Sequence, residues 1–257
     1  MSVIATARAS GAAGPVLVFM HGVGSTAAIW DYQLDAFERE FRCFAIELRG
    51  NGIPKPEAAP ERITREGFVD DVLAVADAAG AARFHFVGCS LGGAVGFELW
   101  KRARDRVQSF VFVGSFACYP DAQAYVRNIV TAVEAAGSME VFARERAARI
   151  GMPPGRRTDE TIAQMACKSI ESYKASTYAT WTGDYRSVLE TIAVPTLVIC
   201  GANDAIAPPD LSREIAAGIP GARLEIVADA GHVTNADQPA RFNELLRTFY
   251  RTRLGSE

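Results

Sequence analysis

The segment Phe84-His85-Phe86-Val87-Gly88-Cys89-Ser90-Leu91-Gly92-Gly93-Ala94 constrains this chain more than any other. An apolar run of strand character enters Gly88-x-Ser90-x-Gly92 and leaves directly as a helix. A strand that turns into a helix within one residue strains the backbone of that residue, and the flanking glycines leave room where a Cβ would strike a neighbouring element. The bend lifts the Ser90 hydroxyl above the sheet edge. The first N–H groups of the following helix, that of Leu91 among them, point at the same spot and can hold a developing oxyanion. A glycine-softened turn without chemistry is the bland alternative, and the strand before and helix after favour a nucleophile.

A serine hydroxyl needs a base at neutral pH, and the sequence holds three histidines, His21, His85 and His232. His232, in Ala230-Gly231-His232, follows the expected strand Leu224 to Val227, on a loop past a strand's carboxyl end where sites of open α/β sheets assemble. His85 sits mid-strand between two phenylalanines, which fits a buried structural residue. The base in turn needs a carboxylate, and Asp204 lies just past the expected strand Thr196 to Cys200. Asp121 is the fallback acid, while Asp210 and Asp237 read as helix-start residues. His21 belongs to the strand and glycine loop Val16 to Ser25, whose Val23 N–H can supply a second oxyanion donor beside Leu91.

Short β-branched or aromatic runs alternate with helical segments, the pattern of a mostly parallel sheet flanked by helices. Expected strands are Val16 to Met20, Cys43 to Leu48, Phe84 to Val87, Ser109 to Val113, Thr196 to Cys200 and Leu224 to Val227. Expected helices cover Phe68 to Ala79, Leu91 to Arg104, Leu211 to Ala217 and Gln238 to Arg251. From Tyr119 the alternation gives way to about three amphipathic helices broken at Gly137, Gly151 and Pro153-Pro154-Gly155. The expected organisation is therefore an α/β core of residues 1–118 and 186–257 with an inserted helical cap at 119–185.

Several function classes are disfavoured. With 27 basic and 30 acidic residues and a net charge of -3, spread without blocks of one sign, the chain lacks the footprint of a nucleic-acid binder. No apolar run approaches the roughly 20 residues that cross a bilayer, and residues 1–9 lack the pattern of a signal peptide, so no membrane association and a cytoplasmic location are expected. Five cysteines without a CxxC pair point to neither a disulfide framework nor a zinc site. G-x-x-x-x-G-K-[ST] and G-x-G-x-x-G are absent, which disfavours nucleotide binding. No metal and no cofactor are expected.

Taken together, the strand and His21-Gly22 loop, Gly88-Cys89-Ser90-Leu91-Gly92, the strand-end Asp204 and Ala230-Gly231-His232 resemble the α/β-hydrolase superfamily. Within it the chain is similar to 3-oxoadipate enol-lactonases and related small carboxylesterases, through Ile192 to Ile199, Ile219-Pro220-Gly221-Ala222-Arg223 and Gly231 to Pro239. The resemblance implies an α/β-hydrolase fold, with Ser90 as nucleophile, His232 as general base, Asp204 as its partner, and the N–H groups of Val23 and Leu91 as oxyanion donors. It departs from the family pattern in three places. Phe142-Ala143-Arg144-Glu145-Arg146 has no tryptophan where enol-lactonases carry a Trp-Phe pair. Asn51 replaces the histidine of the R-G-H-G-x-S turn, and ahead of Val16 there is room for only one leading strand.

The expected activity is hydrolysis of a small carboxylic ester or lactone through an acyl-enzyme, with a small-molecule substrate as partner; a homo-oligomer is compatible with it. An aspartate would stand in place of Ser90 in a dehalogenase or epoxide hydrolase of this fold. Carbon-carbon bond hydrolysis of a ring-cleavage product and a ligand receptor that keeps the triad are the alternatives. Tyr119, Tyr125, Phe142, Tyr173, Tyr178 and Trp181, with occasional arginines, are candidates for the inner face of the cap. An anionic lactone would require a cap arginine facing the cavity.

Overall fold

A computed structural model describes residues 7–51, 58–150, 152 and 154–254. Its strands are β1 (Ala7–Ser10), β2 (Val16–Met20), β3 (Arg42–Ile46), β4 (Phe84–Cys89), β5 (Val107–Val113), β6 (Thr196–Gly201) and β7 (Arg223–Val227). They form one sheet in the order β1-β3-β2-β4-β5-β6-β7, in which β1 pairs antiparallel with β3 and every other pair is parallel. Among the described residues β1 is the one strand ahead of β2.

Helices α1 (Asp31–Phe37), α2 (Arg65–Ala78) and α3 (Leu91–Ala103) follow β2, β3 and β4. Between β5 and β6 come α4 (Ala122–Ala136), α5 (Met139–Arg149), α6 (Arg156–Ala166), α7 (Ile170–Trp181) and the short α8 (Arg186–Leu189). The chain closes with α9 (Pro209–Gly218), α10 (Thr234–Asp237) and α11 (Pro239–Leu254).

Alternate residues of β2 serve opposite faces of the sheet. Val16, Val18 and Met20 join a core with Phe68 and Val72 of α2 and Val95 and Phe97 of α3, while Leu17 and Phe19 join another with Phe37 of α1 and Phe242 and Leu246 of α11. Strands covered on both faces need no polar side, which is why they read as continuous apolar runs. Phe86, Phe110 and Phe112 are fully buried beneath α3. At roughly 1.5–3 kcal/mol for each such side chain, they hold that helix in place on the sheet.

Several strands extend past their expected ends. β4 runs on through Gly88 and Cys89, which pair with Phe112 and Val113, so the strand delivers Ser90 with no intervening loop. β5 starts two residues earlier than expected, at Val107. β3 ends at Ile46, before the expected Leu48. α1 carries no strong sequence signal and is not among the expected helices.

Among the described residues, the region expected to hold about three helices contains four between β5 and β6, besides α8. Gly137 ends α4 in a left-handed conformation with φ 67°, as its sequence suggests. The turn between α6 and α7 has neither glycine nor proline; Ser169 caps α7 by accepting the Ser172 N–H. Gly151 and Pro153 of the anticipated breakers lie outside the described residues, as do Gly52 and Ile53 of the Arg49 turn. Among the described residues no helix is long and apolar enough to cross a membrane.

Candidate active site

Ser90 occupies the bend between β4 and α3 at φ 54° and ψ -108°. A non-glycine residue held there costs of order 1–3 kcal/mol, which the surrounding structure must supply. The turn is possible because nothing fills the space of the flanking side chains. A Cβ on Gly88 would lie 2.3 Å from the Gly92 carbonyl oxygen, and one on Gly92 would lie 2.5 Å from that of Met20. The Ser90 N–H donates to the Val113 carbonyl at 2.9 Å, which anchors the bend to β5. Its Oγ is buried and has no hydrogen-bond partner.

Asp204 follows β6 and is 3% exposed. Its Oδ1 accepts the N–H groups of Ile206 and Ala207, each at 2.9 Å, and its Oδ2 accepts from His232 Nδ1 at 2.8 Å. A carboxylate only accepts, so this contact places the imidazole proton on Nδ1 and the lone pair on Nε2. The His232 loop lies against the Asp204 loop, with the Asn203 N–H donating to the Ala230 carbonyl at 2.9 Å. Gly114 at the end of β5 completes this corner. Its φ is +51°, and a Cβ there would sit 3.2 Å from both Asp204 Oδ2 and His232 Nδ1.

Ser90, His232 and Val23 line one cavity, together with Gly22, Ser25, Ile29, Cys89, Ile206 and Val233 of the α/β core. It offers about 40 Å³ of room for the centres of water-sized molecules. Leu91 is not among the lining residues. Its side chain is fully buried in the core, and as the first residue of α3 its N–H has no acceptor within the helix.

His21 shapes the loop that carries Val23. The Leu48 N–H donates to His21 Nε2 at 3.3 Å, so Nδ1 holds the proton and donates to the Gly22 carbonyl at 2.8 Å. His85 lies elsewhere, buried between the rings of Phe41 and Tyr250 and hydrogen-bonded to Ser109. Burial brings its pKa down to about 4. The fallback Asp121 sits at the N-cap position of α4 at φ 48°, without a side-chain bond to the helix, and is not among the cavity residues.

The helical insertion contributes Arg146 of α5 and Trp181 of α7 to the cavity. The other aromatic candidates do not line it. Phe142 and Tyr173 pack on each other in the core of the insertion, Tyr119 and Tyr125 cluster around Trp181, and Tyr178 is 46% exposed. The Trp181 indole N–H is buried without an acceptor. Asn51, the departure from the R-G-H-G-x-S turn, is fully buried and donates to Ser176 Oγ of α7 at 2.7 Å. It thus ties the turn to the insertion.

Sequence reasoning missed three contributors. Gly114 carries a weak signal as a glycine at a strand end. Arg146 stands in the very stretch that lacks the family's tryptophan. Asp237 lies in the first turn of the four-residue α10, as a helix-start residue should, but its Oδ2 also accepts the Gly231 N–H at 2.8 Å, a contact the sequence does not show. Its place is set by the turn that follows His232, which no spacing in the sequence reveals. Asp210 does lie in the first turn of α9.

Comparison with known proteins agrees with this architecture. The RutD protein of Azorhizobium caulinodans, named as a carbamate hydrolase, is 30% identical, with 92% of this chain and 91% of that protein covered. The 3-oxoadipate enol-lactonase 2 of Acinetobacter baylyi is 26% identical over 89% of this chain and 86% of that protein. The crystal structure of the enol-lactonase from Burkholderia xenovorans superposes with a TM-score of 0.83 at 26% identity, covering 96% of each chain. The model of the alpha/beta hydrolase family matches residues 17–245. The chain belongs to the alpha/beta hydrolase family.

Proposed function

We propose that this hydrolase cleaves a small carboxylic ester or lactone through an acyl-enzyme formed on Ser90. One observation carries the reading. A buried serine hydroxyl without a partner, on a strained bend, shares a small cavity with an imidazole whose Nδ1 is already held by a carboxylate. That leaves Nε2 of His232 as the nitrogen able to take a proton.

In the proposed cycle Ser90 Oγ attacks the substrate carbonyl carbon as its proton passes to His232 Nε2. The tetrahedral intermediate collapses when the imidazolium gives that proton to the leaving oxygen, and the carbon-oxygen bond breaks. A water then gives its proton to Nε2 and attacks the acyl carbon, and the imidazolium returns that proton to Ser90 Oγ as the bond from the acyl carbon to Oγ breaks and frees the acid. The N–H groups of Val23 and Leu91 hold the oxyanion at each tetrahedral stage. Asp204 keeps the ring oriented and stabilises the imidazolium.

Arg146 narrows the substrate. It adds a basic residue to a cavity lined otherwise mainly by apolar side chains, which favours an acyl compound bearing a carboxylate. The similarity to a protein named as a carbamate hydrolase supports a second reading, in which the same machinery attacks a carbamate carbonyl.

The test is a panel of p-nitrophenyl esters, lactones and carbamates, with neutral and carboxylate-bearing members, offered to the wild type and to Ser90→Ala. Wild-type turnover abolished by Ser90→Ala, with a serine-directed phosphonate bound to Ser90, is the expected result. A wild type that turns over none of the panel and leaves the phosphonate unreacted overturns it.

A further inference from the structure

The peptide that precedes His232 is gripped on both sides by α10. Asp237 Oδ2 accepts the Gly231 N–H at 2.8 Å, and Thr234 Oγ1 donates to the Gly231 carbonyl at 3.1 Å. With both polar groups of Gly231 taken, the direction in which the chain enters His232 is fixed. The other oxygen of Asp237 faces a different part of the molecule: Oδ1 pairs with Arg157 of α6 at 2.8 Å. One carboxylate therefore bonds at once to the loop of His232 and to the helical insertion.

The far end of α6 grips the second loop of the cavity. Gln164 Oε1 accepts from Ser25 Oγ at 3.3 Å, and Lys168, just past the helix, donates to the Ser25 carbonyl at 2.9 Å. The Met165 side chain packs over Gly24, where a Cβ would come within 2.5 Å of it. A single helix of 11 residues thus reaches, at one end, the carboxylate that holds the loop of His232 and, at the other, the loop carrying Val23.

We propose that Asp237 is a positioning residue for His232, and that Arg157 makes this positioning conditional on α6 being docked. The proposal rests on the reading of His232 as the base. An ion pair whose side chains are 42% and 23% exposed contributes little to global stability, so its effect is on geometry rather than on folding. A carboxylate free to turn away from Arg157 no longer holds the Gly231 N–H in one place, and small displacements of a base are expensive: about 1 Å can cost roughly a hundredfold in rate.

The test uses the full chain with Arg157→Ala, Arg157→Lys, Asp237→Asn, Asp237→Ala and the double variant Arg157→Ala/Asp237→Asn. Arg157→Ala is expected to lower kcat about tenfold, part of the loss that a misplaced base incurs, with a smaller change in KM and an unchanged melting temperature. Arg157→Lys recovers most of that loss, because an ammonium can still reach the carboxylate. Asp237→Asn keeps an acceptor for Gly231 but loses the ion pair, so it matches Arg157→Ala. The double variant is no worse than either single one, as expected of two residues acting through one contact. Asp237→Ala, which also leaves the Gly231 N–H without its acceptor, loses more.

Wild-type kcat in both Arg157→Ala and Asp237→Asn, or losses that multiply in the double variant, overturn the proposal. Hydrogen exchange at the Gly231 amide reads the mechanical claim without any turnover. It should speed up in Arg157→Ala, and an unchanged rate sinks the claim. If Ser90 fails to react with the phosphonate in the wild type, the chemistry assigned to the site is what fails, and the exchange measurement still decides whether Arg157 holds the loop.

Discussion

Gly114 and His232 approach so closely that a Cβ on the glycine would lie 2.8 Å from the His232 carbonyl oxygen. The same Cβ would press on the contact between Asp204 and the imidazole, and the positive φ adds backbone strain for any larger residue. Gly114→Ala should therefore displace the ring and lower kcat/KM by about a hundredfold, the scale of a 1 Å misplacement. Steady-state kinetics on the best ester of the panel measures this. A variant within threefold of the wild type would show that the corner is softer than its geometry indicates.

Asp204→Asn tests the proton assignment on His232. The asparagine oxygen can still accept from Ile206 and Ala207, so the loop should keep its shape. Its amide N–H groups would then face Nδ1, which favours the tautomer with the proton on Nε2 and leaves the serine without a base. A drop in kcat of roughly ten-thousandfold is expected by analogy with the same change in other triads. Retention of a tenth of the activity or more would mean that Asp204 does not set the tautomer.

Cys89 adjoins Ser90 and lines the same cavity, yet burial pushes its thiol well above the ordinary value, and the charges of Asp204 and Asp237 add to the effect. Cys43 is likewise pushed up to about 12 by burial. Thiols this far from ionisation react slowly. Brief treatment with iodoacetamide should label Cys167, which is exposed, and leave activity intact. Early loss of activity with labelling at Cys89 would contradict this and bring its sulfur into consideration as a nucleophile.

His85 supplies a pH dependence of stability that is separate from catalysis. Its pKa falls from 6.5 in the unfolded chain to about 4 in the fold because burial disfavours the imidazolium. The unfolded chain therefore binds the proton first as pH falls. The stability contribution is whole above about pH 6.5, declines toward pH 4, and at that point has cost the fold about 3 kcal/mol. Urea denaturation at pH 7.5 and pH 5 should show about 2 kcal/mol of this loss in the wild type and a smaller one in His85→Phe. Equal losses in both would assign the acid sensitivity to other groups.

Much of this molecule is legible in its sequence because burial on both faces leaves a plain mark. β2, β4, β5 and β6 appear as apolar runs, and Gly88-x-Ser90-x-Gly92 can be read because two backbones come too close for any side chain there. α1 and the division between α6 and α7 escape notice, since neither is marked by a glycine, a proline or a clean period. Asp237 escapes for a different reason. Its partners, Gly231 and Arg157, are brought to it by a short turn and by the docking of a separate helix, and no local pattern encodes that meeting. Arg146 and Trp181 could be named as residues of the insertion, but which of its side chains reach the cavity depends on how four helices pack.

The space beside Ser90 admits the centres of only about three waters, at roughly 10–15 Å³ for each. Even a short acyl chain needs more than that. A longer chain must pass the two lining side chains that project from outside the α/β core, Arg146 and Trp181, both of which belong to the insertion. The largest ester this protein accepts is then a measure of how far α5 and α7 yield, and a homologous series of acyl lengths would act as a ruler for that yielding.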